Sequence, residues 1–204
     1  MWLTSYKFVI RLTFLIIASL VMVWMDAGQS LGSDGSALVE LVRHRTFSLW
    51  IDGDAIDEIV LNSRGKLTFL YIDNKLGREI GRLRKPDSSS GPSTDVPEVL
   101  FLYSTKYNKK GRVLLTAQLQ VYKSLSFDPE KMSVAGYSLK KSDILTGIGS
   151  NPSAEIRPGV KEFGQGYSGY MGFYVPAEYV KPGEEITVSY DGFATKWRVP
   201  LSNQ

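Results

Sequence analysis

Few residues of this 204-residue chain could perform chemistry, because it has a single histidine, His44, and no cysteine. A histidine general base would have to be His44, and the flanking Arg43 and Arg45 disfavour its imidazolium form. Metal sites built from histidine and cysteine lack the ligands that they require. We therefore expect His44 to be a surface residue, and we predict neither an enzyme nor a cofactor site.

Acidic residues cluster in DGDAIDE, residues 52–58, where Asp52, Asp54 and Asp57 offer the oxygen ligands that hard cations prefer. An EF-hand loop needs acidic or amide residues at alternate positions, and Ile56 occupies the third of them. The pattern favours an acidic turn between strands. A weak calcium site stays open, as does a glycosidase with a carboxylate pair such as Asp52 and Asp57.

Basic residues cluster shortly afterwards, at Lys75, Arg78, Arg82, Arg84 and Lys85. We interpret them as charges on a solvated hairpin edge, with contact to anionic headgroups or an acidic partner as the alternative. The whole chain has 24 Lys and Arg against 21 Asp and Glu. It lacks the concentrated basic face of a nucleic-acid binder, so we expect no nucleic-acid partner.

The segment GQGYSGYMGFY, residues 164–174, combines glycines with large aromatic rings. Glycine in a strand often marks a bulge or a closely approached backbone, and tyrosine is enriched at recognition surfaces. No charge lies between Glu162 and Glu178, as the centre of an interface prefers. We predict that this segment contacts a partner, with core packing as the alternative. The candidate partner-binding residues are Tyr167, Tyr170, Phe173 and Tyr174.

An apolar stretch, residues 12–25, follows Lys7 and Arg11, which places the N-terminus in the cytoplasm under the positive-inside tendency. As a helix it covers roughly 21 Å, and extension back to Phe8 gives about 27 Å against a hydrocarbon core of ~30 Å. The predicted anchor residues are Lys7, Arg11, Leu15, Ile16, Leu20 and Trp24. Cleavage after Ala27 or Gly28 is poorly specified, which favours a retained anchor, and cleavage after Ser30 stays open.

Beyond this stretch the hydrophobic period is two, which indicates β-strands. EIVLNSRGKLTFLYID predicts two strands about a turn at 63–65, and REIGRLR predicts a third strand of the same meander. In EEITVSYDGFATKWRV, Asp191 and Gly192 predict a type I′ hairpin. Gly77 and Gly81 argue against a helix over residues 75–85. We predict an all-β fold, an antiparallel β-sandwich of immunoglobulin-like character preceded by one N-terminal transmembrane helix.

Composition suggests where the chain divides, because PDSSSGPSTDVP at residues 86–97 cannot bury much apolar surface. Whether the body forms one β domain or two stays open. The predicted organisation is a signal-anchor helix at 1–27, a flexible tether at 28–36, a first β lobe at 37–85, a loop or linker at 86–97, and an immunoglobulin-like second lobe at 98–204.

These features predict a single-pass membrane protein whose body lies outside the cytoplasm, in the periplasm of a bacterium. We expect it to act by protein–protein binding, as an accessory or scaffold subunit of a cell-envelope complex. The alternative is a secreted or tethered carbohydrate-binding module, in which Trp50 and Trp197 would stack on sugars. One tryptophan per strand is more typical of a core, so the scaffold interpretation is favoured here.

Overall fold

The computed structural model describes residues 33–56, 59–83, 109–147 and 153–201. The chain divides into two units, Met1–Glu40 and Leu41–Gln204. The described helices are α1 (Ser33–Arg45) and α2 (Asn74–Leu83). The described strands are β1 (Thr46–Ile51), β2 (Asp54–Ile56), β3 (Ile59–Leu61), β4 (Gly65–Ile72), β5 (Arg112–Val121), β6 (Leu125–Phe127), β7 (Met132–Val134), β8 (Tyr137–Ser138), β9 (Lys161–Phe163), β10 (Ser168–Pro176), β11 (Glu185–Tyr190) and β12 (Phe193–Arg198).

The larger sheet is antiparallel and has the order β1-β4-β5-β10. Period-two patterning gives each strand an apolar face, so Phe47 and Leu49 of β1 are buried while Trp50 is exposed. The register continues that face across the sheet, because Phe47 pairs with Phe69 and Phe69 pairs with Ala117. One face of this sheet therefore belongs to the core from edge to edge.

The second four-stranded sheet has the order β12-β11-β7-β8. Its β11–β12 hairpin turns at Asp191 and Gly192, whose φ angles of 46° and 92° suit a type I′ turn. Ile186 pairs with Trp197 across the hairpin, and both side chains are buried. The predicted hairpin and its apolar face are confirmed.

Side chains from both sheets form one hydrophobic core. The ring of Phe47 in the larger sheet stacks on Trp197 in the second sheet, with centroids 4.5 Å apart. Tyr71 reaches the same indole at 5.5 Å. Complete burial of a side chain such as Phe69 contributes about 1.5–3 kcal/mol to folding. The described chain is thus predominantly β with antiparallel sheets, as predicted.

Helix α2 replaces the third strand that was predicted for REIGRLR. The Oδ1 atom of Asp73 accepts a hydrogen bond from the amide of Leu76 at 2.8 Å, which is the geometry of an N-cap. Gly77 and Gly81 each disfavour a helix by about 1 kcal/mol. The cap and the complete burial of Leu76 offset that cost.

Helix α1 also lies where no helix was predicted, over the end of the expected tether and the start of the expected first lobe. Leu38 and Val42 lie four residues apart in it, and both are buried. Arg43, His44 and Arg45 occupy its last turn, where cations interact favourably with the helix dipole.

Strands from the two predicted lobes pair in one sheet, because β4 of the first pairs with β5 of the second from Gly65 to Ile72. The lobes are therefore not separate bodies. The turn at 63–65 joins two strands as predicted, but β3 pairs with β2 and β4 pairs with β1. A short hairpin is thus inserted between two neighbours of the larger sheet.

Several predictions fall outside the described residues. They include the signal-anchor helix at 1–27 with Lys7, Arg11, Leu15, Ile16, Leu20 and Trp24, the first residues of the tether, and the loop at 86–97. No helix of the part that the structure describes is both long enough and apolar enough to span a bilayer.

Candidate functional site

The outer face of the larger sheet, opposite the core, changes character along its strands. At one end Leu114, Tyr174 and Ile72 are buried. At the other end two cross-strand rows carry neutral polar and aromatic side chains with one lysine. The rows are Ser48, Thr68, Gln118 and Tyr170, and then Trp50, Lys66, Gln120 and Ser168. At about 4.8 Å per strand, each row spans roughly 14 Å.

Two exposed aromatic rings stand at one corner of this polar end. Trp50 is 36% exposed and Tyr122 is 40% exposed. Their centroids lie 6.1 Å apart with 28° between the ring planes, so the rings stack against each other. Tyrosine and tryptophan combine a large apolar ring with a polar group, which suits them to recognition surfaces. We call Trp50, Lys66, Gln120 and Tyr122 the Trp50 corner.

In its row, Lys66 lies between Trp50 on one neighbouring strand and Gln120 on the other. Its Nζ is 4.9 Å from the centre of the Trp50 ring, a distance that suits a cation–π contact. The side chain is half-buried, and this burial lowers the pKa of the Lys66 ammonium. No carboxylate of the described residues forms an ion pair with it.

The amides of the polar end are held in place by neighbours. The Tyr122 hydroxyl donates to Oε1 of Gln120 at 3.1 Å. Gln118 donates through Nε2 to the Ser168 hydroxyl, also at 3.1 Å. The Nε2 of Gln120 makes no hydrogen bond to a residue within the described ranges. It can therefore donate to a ligand that lies against the rings.

The four predicted partner-binding rings do not share one surface. Phe173 is completely buried and meets Phe69 edge-on at 6.5 Å, and only 1% of Tyr174 is exposed. Phe173 is buried because it lies on the core face of β10. Tyr174 lies on the opposite face, at the end of that face that is also buried. Of the four rings, only Tyr167 and Tyr170 keep accessible area, and both are half-buried.

Tyr167 has a packing role. Its ring stacks on Phe163 with centroids 4.2 Å apart. It also lies across Gly169, where an added Cβ would come within 2.6 Å of Cε1 of the tyrosine. The predicted close approach to a glycine is therefore present, but the approaching group is a ring of this chain. Of the four rings, Tyr170 is the one that keeps accessible area on the outer face.

Two of the remaining candidates, His44 and Asp52, are exposed. His44 is exposed in the last turn of α1. Asp52 forms an exposed ion pair with Arg64 at 2.9 Å, and Asp57 lies outside the described residues. Among the residues that the structure describes, no group of three or more histidine, aspartate or glutamate side chains could hold a metal ion.

The basic cluster lies partly on α2 rather than on a hairpin. Lys75, Arg78 and Arg82 are helical, whereas Arg84 and Lys85 lie outside the described residues. The guanidinium of Arg78 donates to the backbone oxygen of Asn74 one turn earlier, at 3.2 Å. That contact holds Arg78 along the helix.

Sequence reasoning missed Lys66, Gln120 and Tyr122. A signal was present in RVLLTAQLQVYK, where Gln118, Gln120 and Tyr122 alternate with buried Leu119 and Val121. That alternation places two amides and a tyrosine on the outer face of one strand. Their proximity to Trp50 could not be foreseen, because it depends on the order of strands in the sheet.

Comparison of the chain with protein-family models, with curated proteins and with solved structures finds no match. Its function is therefore inferred from the chemistry of the Trp50 corner. Flat stacked rings, an amide donor and a cation on a sheet face can bind and orient a ligand.

Proposed function

We propose that this chain is an exported binding protein that recognises a glycan through the Trp50 corner. The observation that carries the proposal is the exposed stack of Trp50 and Tyr122 beside the amide of Gln120. A pyranose ring presents a face of C–H groups and a rim of hydroxyls. The aromatic rings suit the C–H face, and the amides and hydroxyls of the polar rows suit the rim.

The size of the surface favours a short oligosaccharide over a single sugar. The polar rows continue from Trp50 on one edge strand to Ser168 on the other, roughly 14 Å away. The residues between them are mostly neutral hydrogen-bonding side chains. Such side chains can follow the hydroxyls of successive rings.

The proposal includes the finer features of the fold. We infer that the two sheets form an immunoglobulin-like sandwich and that residues 1–27 form a transmembrane helix with its N-terminus in the cytoplasm. The apolar stretch after Lys7 and Arg11 supports the helix, and the core shared by the two sheets supports the sandwich. The body would then face the periplasm of a bacterium, where glycans are accessible.

A glycan-binding screen tests the function directly. The full-length chain in mild detergent should bind a subset of immobilised oligosaccharides, and Trp50→Ala should lose that binding while its melting temperature stays close to that of the wild type. Tyr179→Ala is the matched control, because Tyr179 is 37% exposed and packs against Tyr137, with centroids 5.2 Å apart, rather than against the corner. Equal binding by wild type and Trp50→Ala would refute the proposal.

A second candidate is an accessory or scaffold subunit of an envelope complex, acting by protein–protein contact. Tyr170 favours it, because this half-buried tyrosine lies at the β10 edge of the same outer face. A mild-detergent pull-down followed by mass spectrometry tests it. Recovery of the same integral membrane proteins with wild type and Trp50→Ala, but not with Tyr170→Ala, would favour the scaffold.

A further inference from the structure

We infer that the Trp50 corner selects acidic glycans, whose sugar rings carry a carboxylate, through the ammonium of Lys66. This inference rests on the proposed glycan-binding function and adds the charge class of the ligand. It concerns the same surface, so the experiment below separates failure of the selectivity from failure of glycan binding.

Lys66 is the single charged side chain of the two polar rows. The other seven members carry hydroxyls, amides or aromatic rings: Ser48, Thr68, Gln118, Tyr170, Trp50, Gln120 and Ser168. Glu155 borders the second edge next to Tyr170, but it is buried and pairs with Arg157 at 3.2 Å. The exposed part of the surface therefore carries one positive charge that no carboxylate in the described ranges neutralises.

The position of Lys66 brings its charge close to the ring on which a sugar would stack. It pairs across the strands with Trp50 on one side and Gln120 on the other, and its ammonium lies 4.9 Å from the centre of the Trp50 ring. Three other lysines instead pair with carboxylates of this chain: Lys131 with Asp191, Lys196 with Glu185, and Lys181 with Glu184. Half-burial weakens the screening of Lys66 by water, so a carboxylate placed there gains more than it would at a fully exposed lysine.

A polyphosphate ligand such as a nucleic acid fits the corner poorly. Binding a nucleic-acid backbone uses many cations spread along a surface, whereas the corner has one. The nearby Arg64 is occupied by Asp52 at 2.9 Å. One cation beside two stacked rings and an amide matches a sugar ring with a single carboxylate.

The test compares two glycans of equal length on the full-length chain in mild detergent. The probes are oligogalacturonate, which is acidic, and a cello-oligosaccharide, which is neutral. We expect the acidic glycan to bind more tightly at low ionic strength, with a preference that salt reduces. Lys66→Gln should weaken acidic-glycan binding about tenfold, since a hydrogen bond to a charged group is lost, and should weaken neutral-glycan binding by a clearly smaller factor.

Three variants control for folding and for charge in general. Lys66→Arg keeps the cation and should retain the preference for the acidic glycan. Lys141→Gln removes an exposed lysine elsewhere and should leave both affinities unchanged. Trp50→Ala should weaken both glycans together, because the ring serves either sugar. The melting temperature of each variant shows that the comparison is made on folded protein.

Each remaining outcome decides between the two claims. If the neutral glycan binds as tightly as the acidic one, or if Lys66→Gln weakens both equally, the selectivity is refuted and glycan binding stands. Binding of neither glycan class by the wild type refutes the proposed function as well. Poly-glutamate binding as tightly as oligogalacturonate refutes the inference in favour of an acidic protein partner.

Discussion

Arg45 and Asp73 form a buried ion pair that joins the end of α1 to the beginning of α2. Nε and Nη2 of Arg45 donate to Oδ2 of Asp73 at 3.1 and 2.7 Å, and no part of Arg45 is exposed. Nη1 donates to the Leu41 oxygen at 3.2 Å. The other carboxylate oxygen of Asp73 caps α2 at the Leu76 amide. One aspartate therefore neutralises a buried cation and starts a helix.

Removal of this carboxylate should be severely destabilising. Asp73→Ala removes the carboxylate that the buried guanidinium of Arg45 meets at 2.7 Å, and loss of one partner of a buried ion pair costs about 3–5 kcal/mol. Asp73→Asn keeps an oxygen for the Leu76 amide, so it should cost less. Chemical denaturation gives the free energy of unfolding. Glu185→Gln is the control, because the pair of Glu185 with Lys196 is exposed and its loss should change stability by less than about 0.5 kcal/mol.

Asp143 is a buried carboxylate with several partners. It accepts hydrogen bonds from the Tyr137 hydroxyl at 2.7 Å, from the Lys140 amide at 3.0 Å and from Nη1 of Arg112 at 2.8 Å. Burial alone would raise the pKa of Asp143, but these hydrogen bonds and the charge of Arg112 outweigh it and lower the pKa. The same hydrogen bond to the carboxylate raises the pKa of Tyr137.

A pH series should reveal this carboxylate. Because its pKa is lower in the folded chain than in the unfolded chain, its contribution is complete above the usual pKa of an aspartate and is lost as the pH falls through the lowered value. Asp143→Asn should therefore be less stable than the wild type at neutral pH, and the difference should shrink in acid. Denaturation of both proteins across the acid range measures it, and a constant difference would contradict the assignment.

Gly169 should not tolerate a side chain. An added methyl would meet the ring of Tyr167, whose Cε1 lies 2.6 Å from the position of the new Cβ, so overpacking should cost about 1–3 kcal/mol. Gly164→Ala is the matched control, because no atom lies within 4 Å of its Cβ position. If the ring causes the loss, Gly169→Ala should cost less in a Tyr167→Ala background.

Local patterning predicted the parts of the fold that local interactions determine. The period of two predicted antiparallel strands, and Asp191 with Gly192 predicted the hairpin between β11 and β12. Helix α2 was missed because Gly77 and Gly81 received more weight than the cap at Asp73 and the helical spacing of Leu76, Ile80 and Leu83. The cap was the signal that could have reversed that judgement.

The candidate site depended on information that short-range patterning does not contain. Trp50 and Tyr122 are 72 positions apart in the numbering (122 − 50) and meet only because β1, β4 and β5 are neighbours. The burial of Arg45 is similar, since its partner lies 28 residues away. The glycines of residues 164–174 indicated a closely approached backbone, which is present at Gly169. Composition alone could not predict which of the aromatic rings in this segment are buried and which are exposed.

Within residues 164–174, Phe173 and Tyr170 of β10 differ in burial. Phe173 is fully buried against Phe69, so Phe173→Ala should cost about 3–5 kcal/mol and lower the melting temperature sharply. Tyr170 is half-buried on the outer face, so Tyr170→Ala should cost clearly less. Thermal melting of the two variants with the wild type measures this difference.

Loss of a co-purifying protein in Tyr170→Ala, with melting close to the wild type, would support the scaffold candidate. A loss of stability in Tyr170→Ala as large as that of Phe173→Ala would show that both rings act in packing and would refute Tyr170 as a docking residue.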